Sequence, residues 1–230
     1  MKISKILVQL ISILIISTLL MVGCGKKSET TDIIKKDNTT QMNTTNTTPK
    51  TDTVKPIKDT LAEILKTKPD TIIMETSMGK MTIELYSKYA PLHVTNFKKL
   101  VLSKFFNGLL FHRVVPNFMI QGGDPNSRSG DPSTWGQGGP GYTITAEIKL
   151  KHELGSLAAA RTDNPKKESS GSQFYIITGN ASFLDGQYTV YGKVIKGIEV
   201  AQKIQNVKNS GEPNNTALER VVIKKVYFAE

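Results

Sequence analysis

The side chains best suited to metal binding or proton transfer, the histidines His93, His112 and His152, are widely separated in this 230-residue chain. No two of them have the spacing of metal ligands, and the sequence has neither a phosphate-binding glycine loop nor a Gly-x-Ser-x-Gly nucleophile elbow. The segment at residues 111–124, FHRVVPNFMIQGGD, combines one arginine with apolar side chains and a glutamine. An arginine is a planar hydrogen-bond donor that is always charged. These residues favour chemistry based on hydrogen bonding, without a metal or cofactor.

Three segments of the chain resemble the cyclophilins. They are residues 111–124, residues 170–176 (SGSQFYI) and residues 183–186 (FLDG), and residues 190–194 (VYGKV) extend the match. The segments follow one another in the order and at the spacing of that family. The resemblance covers residues 69–230, and it implies a peptidyl-prolyl cis-trans isomerase that acts on X-Pro bonds in polypeptides.

The resemblance implies that Arg113 is the catalytic residue. Rotation about a peptide bond crosses a barrier of about 18–20 kcal/mol, because the nitrogen lone pair is shared with the carbonyl group. At the twisted transition state the lone pair returns to the prolyl nitrogen, which becomes a better hydrogen-bond acceptor. A hydrogen bond from Arg113 that forms mainly in this state accelerates the rotation. One such charged bond is worth only about 1.5–3 kcal/mol, so an apolar pocket must also hold the proline ring.

The substrate-binding residues are likewise implied by the resemblance. They form pocket walls or hydrogen-bond the substrate backbone, and they are Phe118, Met119, Gln121, Ala160, Arg161, Gln173, Tyr175, Phe183, Leu184 and Tyr188. Three of them depart from the common family pattern. Tyr175 replaces phenylalanine and adds a hydroxyl group, Tyr188 replaces a histidine, and Phe183 replaces the tryptophan of drug-sensitive members, which implies weak cyclosporin binding. His112 is expected to be a buried, hydrogen-bonded structural residue, because the reaction moves no proton.

Short strands separated by turn residues predict a mainly β domain. Alternation of apolar and polar residues or β-rich composition marks nine candidate strands, at residues 71–76, 81–85, 111–115, 118–121, 142–146, 156–160, 173–178, 190–194 and 220–228. Apolar stripes predict helices after Pro91 and after Gly197. We therefore expect a closed eight-stranded antiparallel β-barrel capped by two α-helices, since closure removes exposed strand edges.

The N-terminal region predicts export and lipid anchoring. Lys2 and Lys5 precede an apolar run at residues 6–22, the pattern of a signal peptide over residues 1–23. Residues 20–24 (LMVGC) resemble a bacterial lipobox, which implies that Cys24 is lipidated and that the mature protein lies on the outer side of the cell membrane. Residues 24–68 are rich in Thr, Asn and Lys and are expected to be a disordered tether. A retained transmembrane anchor is the alternative, because the apolar run is close to the minimum spanning length.

The formal net charge of +10 does not indicate nucleic-acid binding, because the lysines are scattered and are not interleaved with aromatic residues. With Cys24 as the sole cysteine, no intrachain disulfide is possible. The domain is expected to be a monomer. Two other functions stay open at this point: a module that holds proline-containing segments without catalysis, and a solute-binding lipoprotein that feeds a transporter, although such proteins usually have two lobes.

Overall fold

The computed structural model describes Glu63 and residues 65–230. Their strands are β1 (Thr71–Thr76), β2 (Gly79–Leu85), β3 (Arg113–Val115), β4 (Met119–Gly122), β5 (Ser156–Ala159), β6 (Phe174–Ile177), β7 (Val190–Lys196) and β8 (Ile223–Phe228). The two predicted helices are α1 (Pro91–Leu102) and α2 (Ile198–Ile204). Short 3-10 helices lie at Pro125–Arg128, Pro132–Thr134 and Ser182–Leu184.

The eight strands form one antiparallel sheet in the order β3-β4-β6-β5-β7-β2-β1-β8. Among the described residues no ladder pairs β3 with β8, the two ends of this order. The chain just ahead of each of these strands is joined instead by an isolated bridge between Leu110 and Val222. The expected mainly β, eight-stranded antiparallel architecture is confirmed, whereas full closure into a barrel stays a prediction.

Local sequence explains where the main elements begin and turn. The β1–β2 hairpin turns at Ser77 and Met78, and the Gly79 carbonyl that follows accepts a hydrogen bond of 2.8 Å from the Thr76 hydroxyl. Helix α1 begins at Pro91, which suits the first helical position because its missing N–H group would have no partner there. Helix α2 follows Gly197, whose φ of 84° lies in the left-handed region that glycine adopts without steric cost.

Alternation along the central strands sends side chains into two separate apolar layers. On β6, Phe174 and Ile176 join the main hydrophobic core, whereas Tyr175 and Ile177 join a second, smaller cluster. On β4, Ile120 belongs to the core and Met119 to the smaller cluster. Because successive side chains of a strand point to opposite faces, these two strands support a core on one side and a binding surface on the other.

The prediction of a strand at residues 142–146 is wrong. This segment makes only an isolated bridge, in which Ile144 and Ser169 exchange two backbone hydrogen bonds. It follows Gly141, whose φ of 87° is incompatible with extended backbone, and most of its side chains are exposed or half-buried. Its apolar residues therefore do not reflect a place in the sheet.

The predicted signal peptide, Cys24 and nearly all of the predicted tether lie outside the described residues. Within the part of the chain that the structure describes, no helix has both the length and the apolar character needed to cross a membrane. The structured part starts before residue 69. Leu65 is buried, and the Lys68 carbonyl accepts a hydrogen bond of 2.7 Å from Lys98.

Candidate active site

A chain of polar side chains holds Arg113 at the end of β3. Strand β3 pairs with β4 so that Arg113 lies opposite Gln121, and the guanidinium group donates a hydrogen bond of 3.3 Å to the Gln121 amide oxygen. The Gln121 amide group donates in turn to Gln173 at 2.9 Å. The Gln173 amide group donates to the carbonyls of Gly136 and Gly138 at 2.9 and 2.7 Å. These hydrogen bonds fix the direction of the guanidinium group through one of its N–H donors and leave its other donors available.

Arg113 is half-buried and has no carboxylate partner among the described residues. Burial lowers the pKa of Arg113, but a guanidinium group stays charged in proteins. A charge that is partly desolvated and not neutralised forms stronger hydrogen bonds than the same charge in water. The geometry therefore provides a positioned cationic donor.

The Arg113 side chain borders a small cavity of about 120 Å³. Eight of the eleven residues predicted for catalysis and substrate binding line it: Arg113, Met119, Gln121, Ala160, Arg161, Tyr175, Leu184 and Tyr188. Met119, Ala160 and Tyr175 belong to the smaller hydrophobic cluster, and Leu184 and Tyr188 pack against that cluster. The structure thus places a fixed cation at the edge of a cavity that has apolar walls at Met119, Ala160 and Leu184.

The other three predicted residues lie around this cavity without lining it. Phe118 packs against the smaller cluster, and its ring centroid is 5.2 Å from that of Phe183, which is 68% exposed. Gln173 is buried and acts through Gln121. Phe118 follows Asn117, whose φ of 58° turns the chain between β3 and β4. The two phenylalanines form a rim, and the glutamine is a support.

Comparisons with known proteins identify the family of the chain. Residues 71–228 match the family model of the cyclophilin type peptidyl-prolyl cis-trans isomerase/CLD. The chain is 42% identical to a peptidyl-prolyl cis-trans isomerase of Acinetobacter baylyi, over 60% of this chain and 72% of that protein. It is also 42% identical to peptidyl-prolyl cis-trans isomerase B of Bacillus subtilis, over 56% of this chain and 85% of that protein.

Solved structures show the same likeness. The crystal structure of a cyclophilin type peptidyl-prolyl cis-trans isomerase from Cryptosporidium parvum superposes with a TM-score of 0.61 at 28% identity, covering 70% of this chain and 98% of that one. This chain belongs to the cyclophilin-type peptidyl-prolyl isomerase family. It is an enzyme that interconverts the cis and trans forms of X-Pro bonds.

Tyr175 and Tyr188, two expected departures from the common family pattern, line the cavity with their rings in contact. The Tyr175 hydroxyl lies 2.9 Å from Nε2 of His152, a residue that does not line the cavity, so only the ring faces the pocket. Tyr188 packs edge-on against Tyr175, with ring centroids 5.8 Å apart. The guanidinium carbon of Arg161 lies 4.7 Å from the centroid of the Tyr188 ring. The added hydroxyl of Tyr175 is therefore not presented to substrate.

A second cavity, of about 500 Å³, is also lined by Arg113 and Gln121, and the sequence of this cyclophilin did not predict it. Its remaining lining residues are His112, Pro132, Ser133, Trp135, Gly136, Gln137, Pro213, Asn214 and Thr216. Trp135 is the only tryptophan in the chain, which is the one sequence signal that marked this region. Thr216 reaches the site through an isolated bridge to Arg113 that sequence spacing does not show.

His112 is buried as predicted, but the expected hydrogen bonding is wrong. Neither of its ring nitrogens has a hydrogen-bond partner of regular geometry among the described residues. Burial lowers the pKa of His112 from 6.5 to about 4, and Asp124 only partly offsets this effect. The imidazole is therefore neutral at physiological pH. In the described part of the chain no three His, Cys, Asp or Glu side chains are grouped as metal ligands.

Proposed function

We propose that Arg113 catalyses X-Pro rotation by donating a hydrogen bond to the prolyl nitrogen while the proline ring occupies the 120 Å³ cavity. The observation that carries this proposal is the position of the guanidinium group, which lines the cavity beside Met119 and Leu184 without a carboxylate partner in the described residues. Its bond to the Gln121 oxygen is long, at 3.3 Å, and leaves other N–H groups free to reach substrate.

Arg113 and the pocket each lower part of the barrier to rotation. A charged hydrogen bond of about 1.5–3 kcal/mol corresponds to a rate factor of about 10 to 150. Because the prolyl nitrogen is a poor acceptor in the planar ground state, this bond strengthens as the peptide twists and lowers the barrier. The pocket contributes by holding the ring in place while the preceding carbonyl group rotates.

Proline-containing polypeptides are the proposed substrates. A second structure of the Cryptosporidium parvum isomerase, determined in the presence of the dipeptide Ala-Pro, superposes on this chain with a TM-score of 0.60. The use of that dipeptide with a related isomerase supports an X-Pro unit as the element recognised here as well. The cavity volume suits one small apolar ring, and Gln121, which lines the cavity, has a second amide N–H group for the adjoining substrate backbone.

The rate of cis-trans exchange in a short proline peptide tests the mechanism. We expect the wild-type chain to accelerate exchange in NMR exchange spectra at substoichiometric concentration. Arg113→Met, which keeps the length of the side chain but removes the donors, should lower kcat/KM by about 10- to 150-fold. Arg113→Lys keeps the charge without the planar fork and should fall between the two. Equal kcat/KM for all three proteins, each with an unchanged circular dichroism spectrum, would refute the role of Arg113.

We also propose that the enzyme serves the folding of exported proteins while anchored to the outer side of the cell membrane through lipidated Cys24. The support is the N-terminal sequence, in which a basic start and an apolar run end at the only cysteine. Two acyl chains on Cys24 would give stable attachment, which a single chain does not.

Intact mass of the chain extracted from the membrane fraction tests the anchor. Cleavage before Cys24 with addition of a diacylglyceryl group gives one defined mass. Cys24→Ala should abolish that mass and leave the mass of the unprocessed chain. An unmodified Cys24 within an uncleaved, membrane-bound chain would establish the transmembrane alternative instead.

A further inference from the structure

A buried line of hydrogen bonds runs from the surface to the wall of the proline pocket. The Asp185 carboxylate oxygen Oδ1 lies 3.0 Å from Nδ1 of His152, and Nε2 of His152 lies 2.9 Å from the Tyr175 hydroxyl. The His152 side chain is fully buried and that of Asp185 is 27% exposed. Tyr175 is 5% exposed, and its ring lines the proposed proline cavity.

With a neutral imidazole at His152, the chemistry of the three groups allows one direction for the protons. Hydrogen bonds from the backbone N–H and the ring of His152 lower the pKa of Asp185, so its carboxylate is ionised and only accepts. Nδ1 of His152 must therefore carry a hydrogen, and in the neutral imidazole Nε2 is then an acceptor. Burial raises the pKa of Tyr175, so its hydroxyl keeps the proton that it donates to Nε2. Each group has a single role, and the arrangement is directional.

This arrangement fixes the plane and depth of the Tyr175 ring. The ring stacks on His152 with centroids 6.0 Å apart and planes 8° apart, and it meets Tyr188 edge-on at 5.8 Å and 85°. A phenylalanine at this position would keep both ring contacts but would leave Nε2 of His152 buried without a donor. An unsatisfied buried acceptor is costly, so the surroundings would shift to relieve it.

We propose that His152 and Asp185 are positioning residues that act through the Tyr175 hydroxyl to set the wall of the proline pocket, and so set the affinity for the proline ring. The inference rests on the proposed function, because it requires the cavity to be the proline site. It also explains why this cyclophilin has a tyrosine at position 175, because the hydroxyl group binds His152 and holds the ring in the pocket wall without contacting substrate. His152 and Asp185 do not line the cavity and are not catalytic residues.

A double-mutant cycle, measured as peptide affinity, tests the relay of hydrogen bonds from Asp185 through His152 to Tyr175. NMR titration with a short proline peptide gives the Kd for the wild-type chain, Tyr175→Phe, Asp185→Ala and the double variant. We expect each single variant to raise Kd by about three- to tenfold, the scale of one hydrogen bond, and Asp185→Ala to change kcat by less than about twofold. In the Tyr175→Phe background, Asp185→Ala should change Kd by less than about twofold, because the relay is already cut.

Asp185→Asn is the matched control. Asparagine keeps an oxygen that accepts from Nδ1, so its Kd should stay within about twofold of the wild-type value. The inference is overturned if Tyr175→Phe leaves Kd unchanged, or if Asp185→Ala has its full effect in both backgrounds. Because Kd is measured by binding alone, a chain that binds with this coupling pattern but does not accelerate exchange would refute the proposed catalysis and leave the relay standing.

Discussion

The two apolar layers on opposite faces of β4 and β6 differ in how they are completed. In the main core, Phe97 stacks on Phe106 at 4.7 Å, and Phe174 meets both rings edge-on at 5.7–6.0 Å. The smaller layer is covered by side chains that are only partly buried, among them Phe118, Leu150 and Leu184, and a cavity lies beside Met119 and Tyr175. The same alternation therefore builds a filled interior on one face and a pocket for another molecule on the other.

The largest effect that this comparison predicts is on stability. Phe174→Ala removes a fully buried ring from the aromatic core and should lower the free energy of unfolding by about 3–5 kcal/mol. Phe183→Ala, at the exposed rim of the smaller layer, should change it by less than about 0.5 kcal/mol. Urea unfolding followed by circular dichroism measures both values. Similar losses in the two variants would show that the layers do not differ in the way described.

The next prediction concerns His112, which lies between the core residue Phe111 and the site residue Arg113. Its pKa is about 4 in the folded protein against 6.5 when it is unperturbed, so the unfolded chain takes up the proton first as pH falls. This residue should therefore cost the folded state about 3 kcal/mol between pH 6.5 and pH 4. Burial lowers the pKa of His93 too, which adds to the effect in the same direction.

Unfolding free energies of the wild-type chain and His112→Phe, measured across that pH range, isolate the contribution of His112. The variant should lose clearly less stability on acidification than the wild type. Parallel curves for the two proteins would mean that the imidazole is not held neutral in the folded state.

The smallest predicted effect is at the rim. Phe183→Trp restores the residue of drug-sensitive cyclophilins and adds one N–H donor, so cyclosporin should bind about two- to tenfold more tightly. Isothermal titration of the wild-type chain and the variant gives the ratio of Kd values. Weaker or equal binding to the variant would show that Phe183 does not limit cyclosporin binding.

Sequence reasoning reached the fold wherever a local pattern decides the structure. The strand Thr71–Thr76, the helix start at Pro91 and the turn at Gly197 all depend on neighbouring residues and were predictable. The segment at 142–146 was misassigned, because its composition resembles a strand while Gly141 and its exposed position prevent pairing in the sheet.

The parts of the site that sequence reasoning missed depend on long-range packing. Asp185 lies in a segment already recognised, yet its role follows from its contact with His152, which is 33 residues earlier in the chain. Thr216 borders the second cavity only because an isolated bridge brings it to Arg113. Such partners have no fixed spacing, and only the folded chain identifies them.

In the proposed mechanism the pocket binds the proline ring, while Arg113 acts chiefly on the twisted transition state. NMR line-shape analysis of a proline peptide titrated with the wild-type chain and with Arg113→Met gives the Kd and the rate of on-enzyme exchange from the same spectra. We predict that the variant loses at least about tenfold in exchange rate while its Kd stays within about threefold of the wild-type value. A variant whose Kd rises by about tenfold or more while its on-enzyme exchange rate is unchanged would contradict this mechanism.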